Sequence, residues 1–133
     1  VLLGLTTFVV FGAPATKGST VAFMGKHGIV TKQDSHGLGA WTQAVGWMAR
    51  VVQLPLAPAG VGVRVTATFQ FVKPKSEPKR ERVTVKPDLD KLARALLDAL
   101  TGVGYVDDAQ VVSLVLDKVY GPDARTTICV EPL

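Results

Sequence analysis

Cysteine is nearly absent: Cys129 is the one thiol in 133 residues, so no intramolecular disulfide can staple the fold. That is compatible with a reducing cytoplasm. Cys129 sits in an apolar run near the C-terminus and reads as a small buried hydrophobe rather than a nucleophile. Charge is absent from residues 1–16, and the first basic residue is Lys17. A secretory signal places basic residues ahead of its apolar run, and this run has none; Thr6 and Thr7 also interrupt it. The run is too short to cross a bilayer, so a buried first strand is expected, with no membrane association. Internal repeats and any dividing linker are missing too, and one domain over residues 1–133 is expected. The hydrophobic fraction of 47% and charged fraction of 20% exclude general disorder.

What the chain does have is a localised positive charge. The net charge is +4, from 15 Lys and Arg against 11 Asp and Glu. Residues 73–86 hold Lys73, Lys75, Lys79, Arg80, Arg82 and Lys86 against Glu77 and Glu81, which alone gives +4. The rest of the chain balances. A basic segment near an acidic site suits a phosphate-backbone substrate. A solvated loop kept soluble by its charges is an equally open reading at this level.

Periodicity sets the elements. Residues 5–12 read as a strand, and 20–24 with 28–32 flank Gly25-Lys26-His27-Gly28 as a hairpin. Leu38, Trp41, Val45, Met48 and Val52 recur at three- and four-residue steps and predict a helix ended by Pro55. Residues 63–72 alternate cleanly, with Val63, Val65, Ala67, Phe69 and Phe71 on one side. The basic segment follows as a loop broken by Pro74, Pro78 and Pro87. A second helix is expected from about Leu89 to Thr101, started at Pro87-Asp88 and stopped at Gly102. Strands at about 111–119 and 125–131 complete an α+β fold, a mixed β-sheet with two main helices packed on it.

Two acidic pairs carry the candidate chemistry: Asp88 with Asp90 at the mouth of the second helix, and Asp107 with Asp108 just past it. A helix of about 12 residues is about 18 Å long. The second pair must therefore return along the helix, or arrive from another subunit, to meet the first. Grouped carboxylates are hard oxygen ligands of the kind Mg²⁺ takes. The bland alternatives stay open here, with Asp88 as a helix cap and Asp107-Asp108 as a turn.

The run Lys86-Pro87-Asp88-Leu89-Asp90-Lys91-Leu92, the helix to Leu100, and Val106-Asp107-Asp108-Ala109-Gln110 together resemble the signature of RusA-type Holliday junction resolvases. In that family a K/R-P-D-x-D-N-L segment precedes the helix and D-D-x-Q follows it. The segment Phe11-Gly12-Ala13-Pro14-Ala15-Thr16-Lys17-Gly18 is similar to the family's first strand and following loop. The resemblance implies that Asp88, Asp90 and Asp108 bind Mg²⁺, with Mn²⁺ as a substitute and Asp107 as a further carboxylate. It places Arg94 where the family commonly has a catalytic lysine and Lys91 at its usual asparagine. Arginine keeps the charge but is no proton donor. Asp98, four residues beyond Arg94, reads as structural.

The activity so implied is metal-dependent hydrolysis of phosphodiesters in a four-way DNA junction, in recombination and repair. Two matched nicks imply a homodimer, and C2 dimers are the commonest oligomers. Lys17, Lys73, Lys75, Lys79, Arg80, Arg82, Lys86 and Lys91 are the DNA-binding candidates. The setting implied is the cytoplasm of a bacterial or phage-infected cell. Two other functions are compatible with these residues: a branched-DNA-binding protein of the same fold without catalysis, and a nuclease acting on flaps or forks.

Overall fold

The computed structural model describes residues 4–16, 20–33 and 37–133. Its elements are β1 (Thr6–Phe11), β2 (Thr20–Gly25), β3 (Gly28–Gln33), α1 (Leu38–Val51), β4 (Val63–Phe71), α2 (Leu89–Leu100), a 3-10 turn (Asp108–Gln110), β5 (Val111–Tyr120) and β6 (Arg125–Pro132). Four strands form one sheet in the order β1-β6-β4-β5, and β2 pairs with β3 separately. β4 and β5 are parallel, while β1–β6 and β4–β6 are antiparallel. The architecture is the expected α+β arrangement of a mixed sheet and two helices. No helix among the described residues is long and apolar enough to cross a membrane.

The core follows from the two periodicities. On β4, Val63, Val65, Ala67 and Phe69 are at most 1% exposed, while Arg64 is exposed and Thr66, Thr68 and Gln70 are half-buried on the other face. α1 buries Trp41, Val45 and Ala49, with Leu38, Met48 and Val52 packed at the margin of the same cluster. α2 buries Leu92, Ala95, Leu96, Ala99 and Leu100. Each fully buried large aliphatic side chain contributes about 1.5–3 kcal/mol relative to exposure, so these stripes bind the helices to the sheet.

One expectation needs correcting. Cys129 is half-buried, not buried. It stands in register with Thr7 and Thr66, between the buried Ile128 and Val130. The period-two alternation of β6 turns it to the face opposite the helices.

The β4–α2–β5 unit positions everything that follows. The chain leaves β4 at Phe71, crosses the basic loop, runs back along α2, reverses after Leu100, and enters β5 parallel to β4. The start of α2 thus lies at the outgoing end of β5, and the end of α2 lies at its beginning. Among the described strands β5 has a partner on one side only, so it is an edge of the sheet.

Candidate active site

At the start of α2, Asp88 occupies the N-cap with extended backbone (φ −73°, ψ 142°). Its carbonyl oxygen accepts the Leu92 amide at 3.1 Å, but its side chain makes no capping hydrogen bond. A capping aspartate uses its carboxylate on the first-turn amides; Asp88 keeps its own disengaged. Asp90 follows in the first turn, and both side chains are exposed. The segment leading into them is tied to the sheet. Lys118 on β5 donates from Nζ to the carbonyl oxygens of Val85 and Pro87, each at 3.0 Å.

At the other end, the chain reverses through Gly102, whose φ of +87° is a left-handed conformation that only glycine adopts cheaply. The Gly104 amide donates back to Leu100 at 2.8 Å. Tyr105 is fully buried, and its hydroxyl donates to the Leu97 carbonyl at 2.6 Å. Burial pushes the Tyr105 phenol well above its ordinary range, and the charges of Asp108 and Asp98 push the same way.

Asp107 and Asp108 then part company. Asp107 Oδ1 accepts the Ala109 amide at 2.9 Å, and Gln110 Oε1 accepts the amides of Val106 and Asp107 at 2.9 Å each, closing a capping box. The Gln110 amide group donates to the carbonyls of Pro58 (2.8 Å) and Val61 (3.0 Å). Asp107 is thereby employed in the turn. No donor among the described residues engages the Asp108 carboxylate, which faces an open depression lined also by Asp98, Thr101, Val106 and Asp107.

The structure therefore brings Asp88 and Asp90 together, and Asp107 with Asp108, but does not unite the two pairs in one chain. Among the described residues no three acidic, histidine or cysteine side chains gather at a point where they could share a metal ion. The donor chemistry suits a hard cation; the donor count within one chain does not. Arg94 is exposed on α2, one turn beyond Asp90 and one before the exposed Asp98, midway between the two acidic ends. Lys91 is half-buried beside Asp90 in sequence.

The basic segment is irregular, as expected, but it is anchored rather than loose. Val83 is 7% exposed. Lys73 lies 5.6 Å from the centre of the Tyr120 ring and 3.5 Å from the Pro78 carbonyl oxygen. Arg80 pairs with Glu77 at 3.6 Å and faces Tyr120. Lys75, Lys79, Arg82 and Lys86 are exposed. Lys17 lies outside the described residues.

A family model described as Endodeoxyribonuclease RusA matches residues 17–131, which span the whole β4–α2–β5 unit and both acidic pairs. The chain belongs to the RusA family. It is also similar to an uncharacterized protein, YqaN of Bacillus subtilis (strain 168), at 28% identity over 134 residues, covering 93% of this chain and 94% of that protein. RusA membership gives the acidic pairs their context, an endodeoxyribonuclease frame.

Three residues of this frame had escaped notice or a role in the sequence. Lys118 breaks the apolar alternation of Leu114 and Leu116 on β5, and that break was its only signal. Tyr105 is a lone aromatic in a glycine-rich reversal. Gln110 stood in the motif, but its partners lie about fifty residues away.

Proposed function

We propose that this chain is a Mg²⁺-dependent endodeoxyribonuclease that resolves four-way DNA junctions by paired nicks, working as a homodimer. One observation carries the reading: on a RusA-family frame, three of the four aspartates in the two acidic pairs, Asp88, Asp90 and Asp108, have side chains that no donor among the described residues engages, while Asp107 is held in its turn. The basic segment at the same end of the sheet as Asp88 supports a polyanionic substrate.

A single α2 of about 18 Å holds the two acidic ends too far apart for one cation. A second copy removes that difficulty. The edge strand β5 exposes Val112 (68%), Leu114 (40%) and Val115 (48%), a run of apolar side chains beside unpaired backbone groups. Such an edge favours pairing with another strand. Two β5 strands paired antiparallel about their midpoints set Tyr120 opposite Val111 of the partner subunit. That carries Asp108 of the partner subunit toward the end of the sheet where Lys118 holds the approach to Asp88. The two-fold axis then gives two equivalent composite sites, which suits two matched nicks.

In this arrangement Mg²⁺, when bound, supplies charge stabilisation at the phosphate and a nucleophile at neutral pH. Asp88 and Asp90 with Asp108 of the partner subunit would hold it. Arg94 grips a phosphate oxygen with a guanidinium that stays protonated at any working pH, so it offsets charge without delivering a proton. Lys75, Lys79, Arg82 and Lys86 hold the backbone.

The deciding experiment is cleavage of a strand-labelled synthetic four-way junction with and without Mg²⁺. Symmetric paired nicks that require the cation are expected. Equal cutting of flaps and forks makes the chain a broader branched-DNA nuclease. Tight junction binding with no cleavage in Mg²⁺ or Mn²⁺ makes it a non-catalytic binder.

A further inference from the structure

Lys118 is out of place on its strand. Register sets it beside Phe69 of β4, which is fully buried, so it continues the helix-facing side on which Leu114 and Leu116 stand. Lys118 is half-buried there; an ammonium drawn partly out of water is costly unless it is hydrogen-bonded, and its hydrogen bonds go to one place, the carbonyl oxygens of Val85 and Pro87 at 3.0 Å. Pro87 directly precedes Asp88. The cation also lies near the start of α2, where the helix dipole disfavours positive charge. A neutral donor would satisfy two loop carbonyls without that disadvantage. What the ammonium adds is three N–H donors on one atom, which lets it hold the Val85 and Pro87 carbonyls together directly ahead of Asp88.

We infer that Lys118 is a positioning residue for the metal-binding carboxylates: by clamping the 85–87 carbonyls to β5 it fixes the backbone from which Asp88 projects. The inference rests on the metal-dependent reading above. Lys118 acts through the segment it holds, without itself touching the substrate. Because the clamp is built on β5, the strand proposed to join the two subunits, the aim of Asp88 and the approach of the partner's Asp108 are set by one element.

The test compares Lys118→Met, which keeps the stem and loses the donors, with Lys118→Arg, which keeps cation and N–H groups. Lys118→Ala, which also lacks donors, is the variant to use if the methionine form does not fold. Outer partners that orient metal ligands typically contribute about 10–100-fold to metal affinity. Lys118→Met should therefore weaken Mn²⁺ binding, measured by calorimetry, by roughly that factor. It should also speed amide hydrogen exchange across residues 84–92 in the absence of metal, leaving β4 and β6 protected. Junction affinity in EDTA should be unchanged, and Lys118→Arg should restore part of the Mn²⁺ affinity. Wild-type Mn²⁺ affinity and wild-type exchange in Lys118→Met overturn the inference. So does loss of junction affinity in EDTA with metal binding intact, which would make Lys118 a phosphate contact. Asp88→Asn, run in parallel, separates the two layers: if it too leaves Mn²⁺ binding and cleavage unchanged, the metal-dependent reading itself has failed.

Discussion

The Tyr105 hydroxyl, on a fully buried side chain, reaches back across the reversal after α2 and donates to the Leu97 carbonyl oxygen at 2.6 Å. This bond pins the segment that delivers Asp107 and Asp108. Tyr105→Phe removes this donor, while the Leu97 carbonyl oxygen keeps the Thr101 amide at 3.2 Å and the Thr101 hydroxyl at 2.9 Å. Loss of a neutral hydrogen bond costs about 0.5–1.5 kcal/mol, and chemical denaturation should show a loss in that range. The pH dependence has a definite sign. Burial raises the folded-state pKa of Tyr105 above its unfolded value, which is about 10. The folded state then holds its proton where the unfolded state releases it, so stability falls as pH rises above about 10. Tyr105→Phe should lessen that alkaline loss; an identical alkaline profile would mean that the phenol does not report on folding.

Gln110 joins two distant pieces of chain, and its substitution tests how firmly Asp108 is placed. Gln110→Glu keeps an acceptor for the Val106 and Asp107 amides but turns a donor into an acceptor facing the carbonyls of Pro58 and Val61. Leaving such groups unsatisfied costs about 1–3 kcal/mol. Gln110→Glu should be destabilised by that amount and should lose cleavage at temperatures where it is still folded.

The elements and both acidic pairs were legible because they rest on short-range patterns. The alternation of β4 and the Pro87-Asp88 start and Gly102 stop of α2 need no distant contact. The disposition of the site was less legible. Asp88 sits where a cap belongs, yet its side chain does not cap, and no local rule distinguishes the two. Asp107 and Asp108 are adjacent and alike, but the Gln110 box commits the first to the turn and leaves the second disengaged. Lys118 to Pro87 spans 31 positions and Gln110 to Pro58 spans 52. Contacts of that range come from strand order, which periodicity does not encode.

The composite site can be tested by mixing subunits. Asp90→Asn keeps the shape and removes a charge that the metal needs and that phosphate repels. Alone it should abolish cleavage and leave junction binding intact or tighter, and Asp108→Asn should lose cleavage as well. Co-folding the two variants should restore nicking in the heterodimers, because one composite site then carries a full set of carboxylates. No recovery, with heterodimers verified by mass spectrometry, would place each site within a single chain.

The basic segment should act on the backbone and not on bases. Lys73 is partly occupied by the Tyr120 ring and the Pro78 carbonyl, whereas Lys75, Lys79 and Arg82 are exposed. Replacing these three by glutamine should weaken binding to all junction sequences alike. The salt dependence should flatten by about 0.9 log units per lost phosphate contact. A shifted cut-site preference with an unchanged salt slope would instead make the segment a base reader.

Arg94 should act as a fixed charge. It stands on the exposed side of α2 one turn from Asp90, since a four-residue step returns to nearly the same face. From there a guanidinium can reach a phosphate held at the Asp88–Asp90 end. It binds oxygen with planar N–H groups and has no proton to give at working pH. A proton donor in this position would impose a basic limb on the pH–rate profile; a permanent cation imposes none. Arg94→Lys should therefore keep substantial activity, because it keeps the charge. It should also introduce a new alkaline limb, because an ammonium titrates where a guanidinium does not. Arg94→Ala should lose much of the single-turnover rate with the fold retained by circular dichroism. If Arg94→Ala cuts at the wild-type rate, Arg94 belongs to the solvated surface of α2, and the charge opposing the developing phosphate must come from Lys91 or the basic segment.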